Sequence, residues 1–529
     1  MAPDDRPLEV ELKLAATAEA IDTLIDAKLL NDHAEAPAVA RDLVTIYYDT
    51  PDRRLSRRKL ALRVRRVGRR HIQTLKTANE SNGASLRRGE WEVELEGSHP
   101  DLAAFGDPAV LELTGLVLPD ELEPVYETRF KRRALTVSWA AKPAAPALIE
   151  VAFDQGRIQA GSHRMPLSEI ELELKSGSAA PLFEVAEALR GVAPLRLQTQ
   201  DKSARGHALA AGTPPEWRKA DSVGLHPGMR VDDAVHAILG GCVRHWLDNE
   251  AATADARDPE GLHQLRVALR RLRSAMSLMK PAISPPVRDR WNDELRWLLG
   301  PLGPARDLDV FVTETLAPVR EANPDDPDLG ALIELAEDRR AQAHHTVRET
   351  LASERYGDLA FTFACWVGRS GWCRIDDIDA RVLQREPITG FADAILAKRY
   401  RKARKQGRGF EHLAAEDRHE LRIAMKKLRY GAEFFGDLYP GKDTGAFRKA
   451  ASRMQDVLGH MNDVAVARHV VDDLLEDVPS GARQRSAALG AGQVIGWYKR
   501  QAQDLEPEAR ELWRAFRSHD PFWNAPDET

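Results

Sequence analysis

Charged and apolar residues alternate singly in the N-terminal part of this chain, up to about residue 175, whereas beyond about residue 231 apolar residues recur at every third or fourth position. The first period belongs to strands with two unlike faces, the second to helices with an apolar stripe, and one element cannot serve both. The alternating runs are residues 8–14, 60–66, 72–76, 90–95, 148–154 and 170–175, with helical patterning at 17–30, 101–113 and 181–189. Long helical segments follow at 260–279, 328–354, 388–406 and 416–435. Between the two regimes, residues 206–230 hold Gly206, Gly212, Pro214, Pro215, Gly224, Pro227 and Gly228, a density of breakers that suits a linker. The expected organisation is a two-domain α+β chain: a mostly stranded domain at 1–205, a linker at 206–225, an all-helical domain at 226–515 and a tail at 516–529.

With 529 residues, 43% of them hydrophobic and 30% charged, the chain has material for more than one core. Residues 1–13 carry acids and alternation where a signal peptide would carry a basic segment and an apolar run, so no export is expected. No uncharged apolar stretch approaches the roughly 18 residues that a membrane span needs, so the expectation is a soluble protein with no membrane partner. Cys242, Cys365 and Cys373 are odd in number and lack metal-ligand spacing, which argues against disulfides and zinc and for a reducing cytoplasm. The net charge of -6 is not that of a polycation that coats nucleic acid. An anion must therefore be met by local clusters.

Strand geometry puts Glu9, Glu11 and Lys13 on one face, opposite Leu8, Val10, Leu12 and Leu14. The same parity groups Arg63 with Arg65, Glu90 with Glu92 and Glu94, Arg129 with Lys131 and Arg133, Glu150 with Asp154, and Glu169 with Glu171 and Glu173. A single strand of this kind is an ordinary solvated face of an antiparallel sheet. Here some strands supply mainly carboxylates and others mainly guanidinium and ammonium groups, which suits a closed barrel with a hydrophilic lumen. Clustered carboxylates bind hard divalent cations, clustered Arg and Lys bind phosphate oxygens, and a metal-bridged phosphate chain needs both.

These residues resemble the CYTH family, the triphosphate tunnel metalloenzymes, whose hallmark Glu-x-Glu-x-Lys is met by Glu9, Glu11 and Lys13. Arg63-x-Arg65, Lys76, Glu90-x-Glu92, Arg129, the run from Glu150 to Asp154, Glu171-x-Glu173 and Lys202 extend the resemblance over about residues 5–205. It implies an eight-stranded antiparallel β tunnel with flanking helices. It further implies Mg2+ or Mn2+ held by Glu9, Glu11, Glu150, Asp154, Glu171 and Glu173, and phosphate clamped by Lys13, Arg63, Arg65, Lys76, Arg129, Lys131 and Lys202. Lys13, Arg63 and Arg65 are the expected catalytic residues, Lys13 as a lysine of depressed pKa that helps activate water.

The helical half repeats itself. His263, Arg266, Arg270 and Arg273 recur 156 residues later as His419, Arg422, Lys426 and Arg429, and Leu302, Gly303 and Asp307 recur at the same offset as Leu458, Gly459 and Asp463. A duplicated helical bundle with a pseudo-twofold axis is expected. In each copy the basic residues form one stripe, backed by apolar positions such as Leu262, Leu265, Leu269 and Leu272. One such stripe is ordinarily a solvated face. Two copies brought toward an axis with few compensating acids would repel unless an anion lay between them.

The stripes resemble the CHAD family, over about residues 226–515, and the resemblance implies a helical bundle whose basic centre binds inorganic polyphosphate. Asp307 and Asp463 are expected to orient the arginines, while His344 and His345 face either the anion or solvent. Few aromatics interleave the stripes, which argues against single-stranded nucleic acid, a ligand bound by stacking. The expected activity is metal-dependent hydrolysis of inorganic triphosphate, with polyphosphate bound by the helical domain. Adenylyl cyclase or thiamine triphosphatase chemistry, or a non-catalytic polyphosphate scaffold, are the alternatives.

Overall fold

The computed structural model describes residues 8–77, 84–115, 117–140, 146–373, 377–476 and 478–523. The chain divides into two compact units, Met1–Glu216 with Gly357–Gly371, and Trp217–Tyr356 with Trp372–Thr529.

Unit one is built on strands β1 (Leu8–Ala15), β2 (Val39–Asp49), β3 (Ala61–Val67), β4 (Arg70–Lys76), β5 (Leu86–Leu95), β6 (Glu123–Trp139), β7 (Ala147–Ala160) and β8 (His163–Ser176). They run in the order β5-β4-β3-β2-β6-β7-β8-β1, and β1 pairs back onto β5. The result is a closed, eight-stranded antiparallel barrel, to which β9 (Arg196–Leu197) adds a short pairing on β1. Closure leaves the barrel no free edge. Its helices are α1 (Ala18–Asp26), α2 (Arg54–Arg57), α3 (Pro108–Thr114), α4 (Ala180–Arg190) and α5 (Lys202–Ala211).

In β1, β3, β4 and β8 aliphatic residues face outward around the charged zone and are covered. Leu62, Val64 and Leu75 pack with Leu55 of α2 and Val110 of α3. Leu12, Leu14, Ile170 and Leu172 are buried where α4 lies on β1 and β8. One end of the lumen is filled by Leu43, Tyr47, Tyr126, Phe130, Ile158 and Leu167, closed over by Leu209 and Ala210 of α5. Gly206 permits that closure, because a Cβ there would stand 2.1 Å from the Tyr126 ring. The Tyr126 hydroxyl donates to the Ser203 carbonyl at 3.1 Å, and Asp201 caps α5 by accepting from the Ala204 N–H at 2.8 Å.

Three boundaries differ from the expectation. The helical pattern at 101–113 is broken into a short turn and α3, because Gly106 takes a left-handed conformation (φ 66) and Pro108 starts a new helix. The linker begins at Gly212 (φ 62) and not at 206, since α5 runs to Ala211. The expected tail from 516 is structured through residue 523: Phe516 and Trp523 are buried against Phe447 and Tyr400.

The remaining helices are α6 (Val231–Asp248), α7 (Glu250–Asp255), α8 (Pro259–Leu278), α9 (Pro285–Val310), α10 (Leu316–Ala322), α11 (Pro327–Ala352), α12 (Glu354–Gly368), α13 (Ile378–Arg385), α14 (Ile388–Gln406), α15 (Ala415–Phe435), α16 (Lys442–Glu476) and α17 (Ala482–Ser518). The duplication is carried by whole helices: α6, α8, α9 and α11 correspond to α14, α15, α16 and α17. Each copy repeats the same neighbours, α6 on α8 and α14 on α15, α8 on α9 and α15 on α16. The copies meet where α8 packs on α15, joined by the Arg271–Glu433 ion pair, and where α11 packs on α17. Among the described residues no helix is long and apolar enough to cross a membrane.

Candidate active site

Polar side chains of β1, β3 to β8 and the start of α5, with Tyr47 of β2, line the open part of the barrel lumen, a cavity of about 450 Å3. Glu9, Glu11, Lys13, Arg63, Arg65, Lys76, Glu150, Glu171, Glu173 and Lys202, all expected at the site, line it. The register explains the juxtaposition: Lys13 lies opposite Glu171, Glu11 opposite Glu173, Glu150 opposite Glu173, and Lys76 opposite Glu90.

Most lumen carboxylates are held by a cation from the same lumen. Glu9 accepts from Lys76 at 2.8 Å and from Arg88 at 2.9 Å. Burial alone would raise its pKa, but Lys76, Arg88 and Lys13 hold it far below the carboxylate range. Glu11 accepts from Lys13 at 2.7 Å and Arg88 at 2.6 Å. Arg88 also reaches Asp201 at 2.5 Å and, against the opposing effect of burial, brings that carboxyl down to about 2. Glu171 is bound by Lys13, Arg132 and Lys202.

The trio Asp154, Glu169 and Glu171 has oxygens all within 4.8 Å of one another, the spacing of a metal site. Its centre is taken by the Lys202 ammonium, 2.8 Å from Asp154, 2.9 Å from Glu171 and in contact with Glu169. Arg132 grips Asp154 bidentately at 2.8 and 2.7 Å, and Arg205 contacts Glu169. Asp154 and Glu171, two of the expected metal ligands, thus serve internal ion pairs. Glu150 and Glu173 differ. Burial and the nearby Glu9 and Glu150 push the Glu173 carboxyl up, against the pull of Lys175 at 2.6 Å. Here negative charge accumulates on oxygen donors, so Glu150 and Glu173, joined by Glu9 once its pairs with Lys76 and Arg88 are exchanged, are the part of the lumen whose chemistry suits a hard divalent cation.

Positive charge accumulates on the β3 side. Arg65 makes no ion pair among the described residues and donates only to the Thr45 hydroxyl at 3.2 Å. Burial, Arg63 and Arg132 lower its pKa to about 10, which leaves it charged at neutral pH. Arg63 lies 3.5 Å from Glu90. Lys13 departs from the expectation of a depressed pKa: burial pulls it down, but Glu11, Glu171 and Glu169 outweigh burial and raise it above an ordinary lysine. It is an ammonium and not a proton acceptor.

Arg129 and Lys131 do not reach the lumen. Both are exposed on the outer face of β6, where the Arg129 side chain is 51% exposed and bonds Glu127 at 3.0 Å. The lumen parity of β6 is Tyr126, Thr128, Phe130 and Arg132, so Arg132 holds the position expected of its neighbours. Cations at consecutive positions 131–133 leave parity undecided from the sequence alone. Arg88 shares the parity of Glu90 and Glu92 but lies just before the visible alternation, because β5 starts at Leu86.

In the helical unit the two stripes converge. Lys426 of α15 is brought down to about 7 by burial and by Arg270, Arg422, Arg429 and Arg273, two of which belong to α8. Arg266 is only 7% exposed, its Nε has no hydrogen-bond partner among the described residues, and burial with Arg270 lowers it to about 10 while Asp307 opposes that shift. Burial and the Arg306 guanidinium lower His263, while Arg429 donates to Gln455 at 2.8 Å. His419 is exposed, and the Asp463 side chain lies outside the described residues. His344 is buried, its Nε2 2.8 Å from the buried Asp309, which Arg340 also binds at 2.7 Å, whereas His345 is exposed beside Glu349.

A barrel whose lumen pairs acids with bases, followed by a duplicated basic bundle, defines the class. The CYTH domain model matches residues 7–207 and the CHAD domain model residues 237–472, and the chain belongs to the proteins that carry these domains in this order. It is 34% identical over 170 residues to an inorganic triphosphatase of Haemophilus influenzae, a match spanning 31% of this chain and 45% of that relative. An uncharacterized protein of Mycobacterium tuberculosis is 24% identical over 515 residues, 90% of this chain and 91% of its own. The crystal structure of the CHAD domain from the plant Ricinus communis aligns with 57% of this chain and 97% of its own at 30% identity and a TM-score of 0.50.

Proposed function

We propose that the barrel hydrolyses inorganic triphosphate to pyrophosphate and orthophosphate with Mg2+ or Mn2+, and that the helical domain binds inorganic polyphosphate. The observation that carries the first part is the polarity of the lumen: Arg63, Arg65 and Arg132 gather on one part of its wall, Glu9, Glu150 and Glu173 on another, about one cavity. Arg65, which no carboxylate neutralises among the described residues, is the seat for a phosphate oxygen, with Arg63 and Arg132 beside it. These guanidinium groups are fixed in place before substrate arrives, so they stabilise charge developing on the leaving phosphate without reorganisation. Lys13, held protonated, donates to phosphate. A divalent cation held by Glu9, Glu150 and Glu173 would neutralise phosphate oxygens and lower the pKa of a bound water. The apolar plug beneath Tyr47 and Phe130 closes one end, so substrate reaches the charges from the other.

The inorganic triphosphatase of Haemophilus influenzae supports this reading of the barrel. For the helical domain the support is the convergence of Arg266, Arg270, Arg273, Arg422 and Lys426 with few carboxylates to balance them. Release of orthophosphate from tripolyphosphate, thiamine triphosphate and ATP, each with Mg2+, Mn2+ or EDTA, tests the proposal. Turnover of tripolyphosphate should be fastest and should stop in EDTA. Preference for ATP or thiamine triphosphate, or turnover in EDTA, would refute it.

A further inference from the structure

The cationic centre of the helical unit does not end at the two stripes. In α14, six of the eight residues 398–405 are Lys or Arg and none is acidic. Lys398, Arg401, Lys402 and Lys405 are exposed, and among the described residues none of them forms an ion pair. Like charges spaced three and four apart on a helix repel. A solvated helix face ordinarily relieves this with interspersed acids.

The ridge is joined to the interior. Arg399 turns inward from α14, and its Nη2 lies 3.3 Å from both the carbonyl and the hydroxyl of Ser277 on α8. Its Nε is buried without a hydrogen-bond partner among the described residues. The Lys427 ammonium of α15 is lowered by burial, by Arg399 and Lys402 on one side and by Arg273 on the other, with Glu420 the one acid opposing. Lys427 therefore lies within electrostatic reach of both Arg273 in the central cluster and Lys402 on the outer ridge. The duplication provides an internal control. The α6 segment corresponding to 398–405 is Cys242 to Asn249, whose single arginine, Arg244, is neutralised by Asp248 at 2.7 Å. The extension exists in one copy alone.

Resting on the polyphosphate reading of the helical domain, we infer that α14 is a second, outer anion-binding track, along which a phosphate chain too long for the central cluster continues over Lys402 to Lys398, Arg401 and Lys405. Because α6 has no counterpart, long chains leave the cluster on the α14 side. A bare phosphate chain fits this ridge better than nucleic acid. The aromatic in it, Tyr400, is buried beneath Arg404, which leaves no platform on which a base could stack.

The test uses the full chain in EDTA, with binding of a short oligophosphate and of long-chain polyphosphate followed at several salt concentrations. The triple variant Lys398→Ala, Arg401→Ala, Lys405→Ala should bind the short chain like the parent. For the long chain its log-affinity against log-salt slope should fall by about 2, from three contacts each worth about 0.7. The charge-keeping triple Lys398→Arg, Arg401→Lys, Lys405→Arg should restore the slope. An unchanged long-chain slope, or an equal loss for both lengths, would overturn the track. If single-stranded DNA showed the same α14-dependent slope, polyphosphate as the occupant would be overturned. Failure of the parent to bind either length would remove the polyphosphate reading itself, and the inference with it.

Discussion

Lys202 is the counter-charge for three buried acids, and its removal has a calculable consequence. In Lys202→Met the side chain keeps its stem and loses the terminal ammonium, while Asp154, Glu169 and Glu171 stay together with oxygens within 4.8 Å. Removing one partner of a buried ion pair costs about 3–5 kcal/mol. Here each acid keeps at least one cation, Arg132 for Asp154, Arg205 for Glu169, and Lys13 with Arg132 for Glu171. The lower end, about 3 kcal/mol, therefore applies. For a unit of this size that lowers the barrel melting temperature by roughly 6–12 °C. The sign of the pH dependence follows. In the parent, burial would raise Asp154, but Lys202 and Arg132 depress it, so its stabilising contribution is present above the unfolded carboxylate pKa and lost as pH falls through the folded value. Without Lys202 the acids resist ionisation in the folded state, so the gap between parent and variant should widen from about pH 4 upward. Differential scanning calorimetry of the full chain, with and without Mg2+ or Ca2+, reads both effects. Because the vacated centre is a trio of carboxylates, divalent cation should raise the melting temperature of the variant more than that of the parent. Equal melting temperatures at neutral pH, or no extra response to cation, would refute the role given to Lys202.

Loss of a direct metal ligand should exceed the roughly tenfold effect that even outer partners have on metal affinity, so Glu173→Gln should raise the half-saturating Mg2+ concentration by at least about tenfold, measured by phosphate release at varied Mg2+. Arg65→Ala removes a charge-assisted contact worth about 1.5–3 kcal/mol, a loss in kcat/KM of roughly 10- to 150-fold, whereas Arg129→Ala and Lys131→Ala should leave kcat/KM within about twofold because neither side chain reaches the lumen. Polyphosphate affinity should fall as pH rises above about 7, because burial and four arginines bring Lys426 down to about 7 and binding above that pH must take up a proton. Calorimetry in buffers of different ionisation heat counts that proton, and Lys426→Arg should abolish its uptake.

The parts of the fold legible in the sequence are those where one face of an element has one chemistry. Glu9, Glu11 and Lys13, or Glu169, Glu171 and Glu173, alternate with aliphatic residues that pack under α4, so parity alone assigns lumen and exterior. Strand β2 lacks that regularity: its register on β6 shifts between Tyr47 and Tyr48, which breaks the alternation. In β6 the lumen parity passes from Phe130 in the plug to Arg132 in the charged zone, while Arg129, Lys131 and Arg133 repeat on the outside. A run that is basic on both faces carries no parity signal, and the visible triplet is the solvent-facing one. Which acids are paired deep in the lumen is a tertiary property as well. Asp154 and Glu173 both occupy lumen positions, yet Lys202 arrives from α5, far along the chain, at one and not at the other.

The two units arrange their cations in opposite ways. In the barrel nearly every cation faces a carboxylate a few ångströms away, so a bare anion entering the lumen competes with internal ion pairs for Lys76, Arg88 and Lys13. Among the described residues of the lumen, Arg65 stands outside that competition. A metal brought with the phosphate changes the balance, because it engages the carboxylates while the phosphate engages the cations, and both internal partners are replaced at once. In the helical unit Arg266, Arg270 and Lys426 lie together with few acids, and the repulsion shows in the lowered pKa of Lys426. That repulsion is relieved by the anion alone. Phosphate binding to the barrel should therefore depend steeply on divalent metal, and phosphate binding to the bundle should not, even though both sites draw on the same side-chain chemistry.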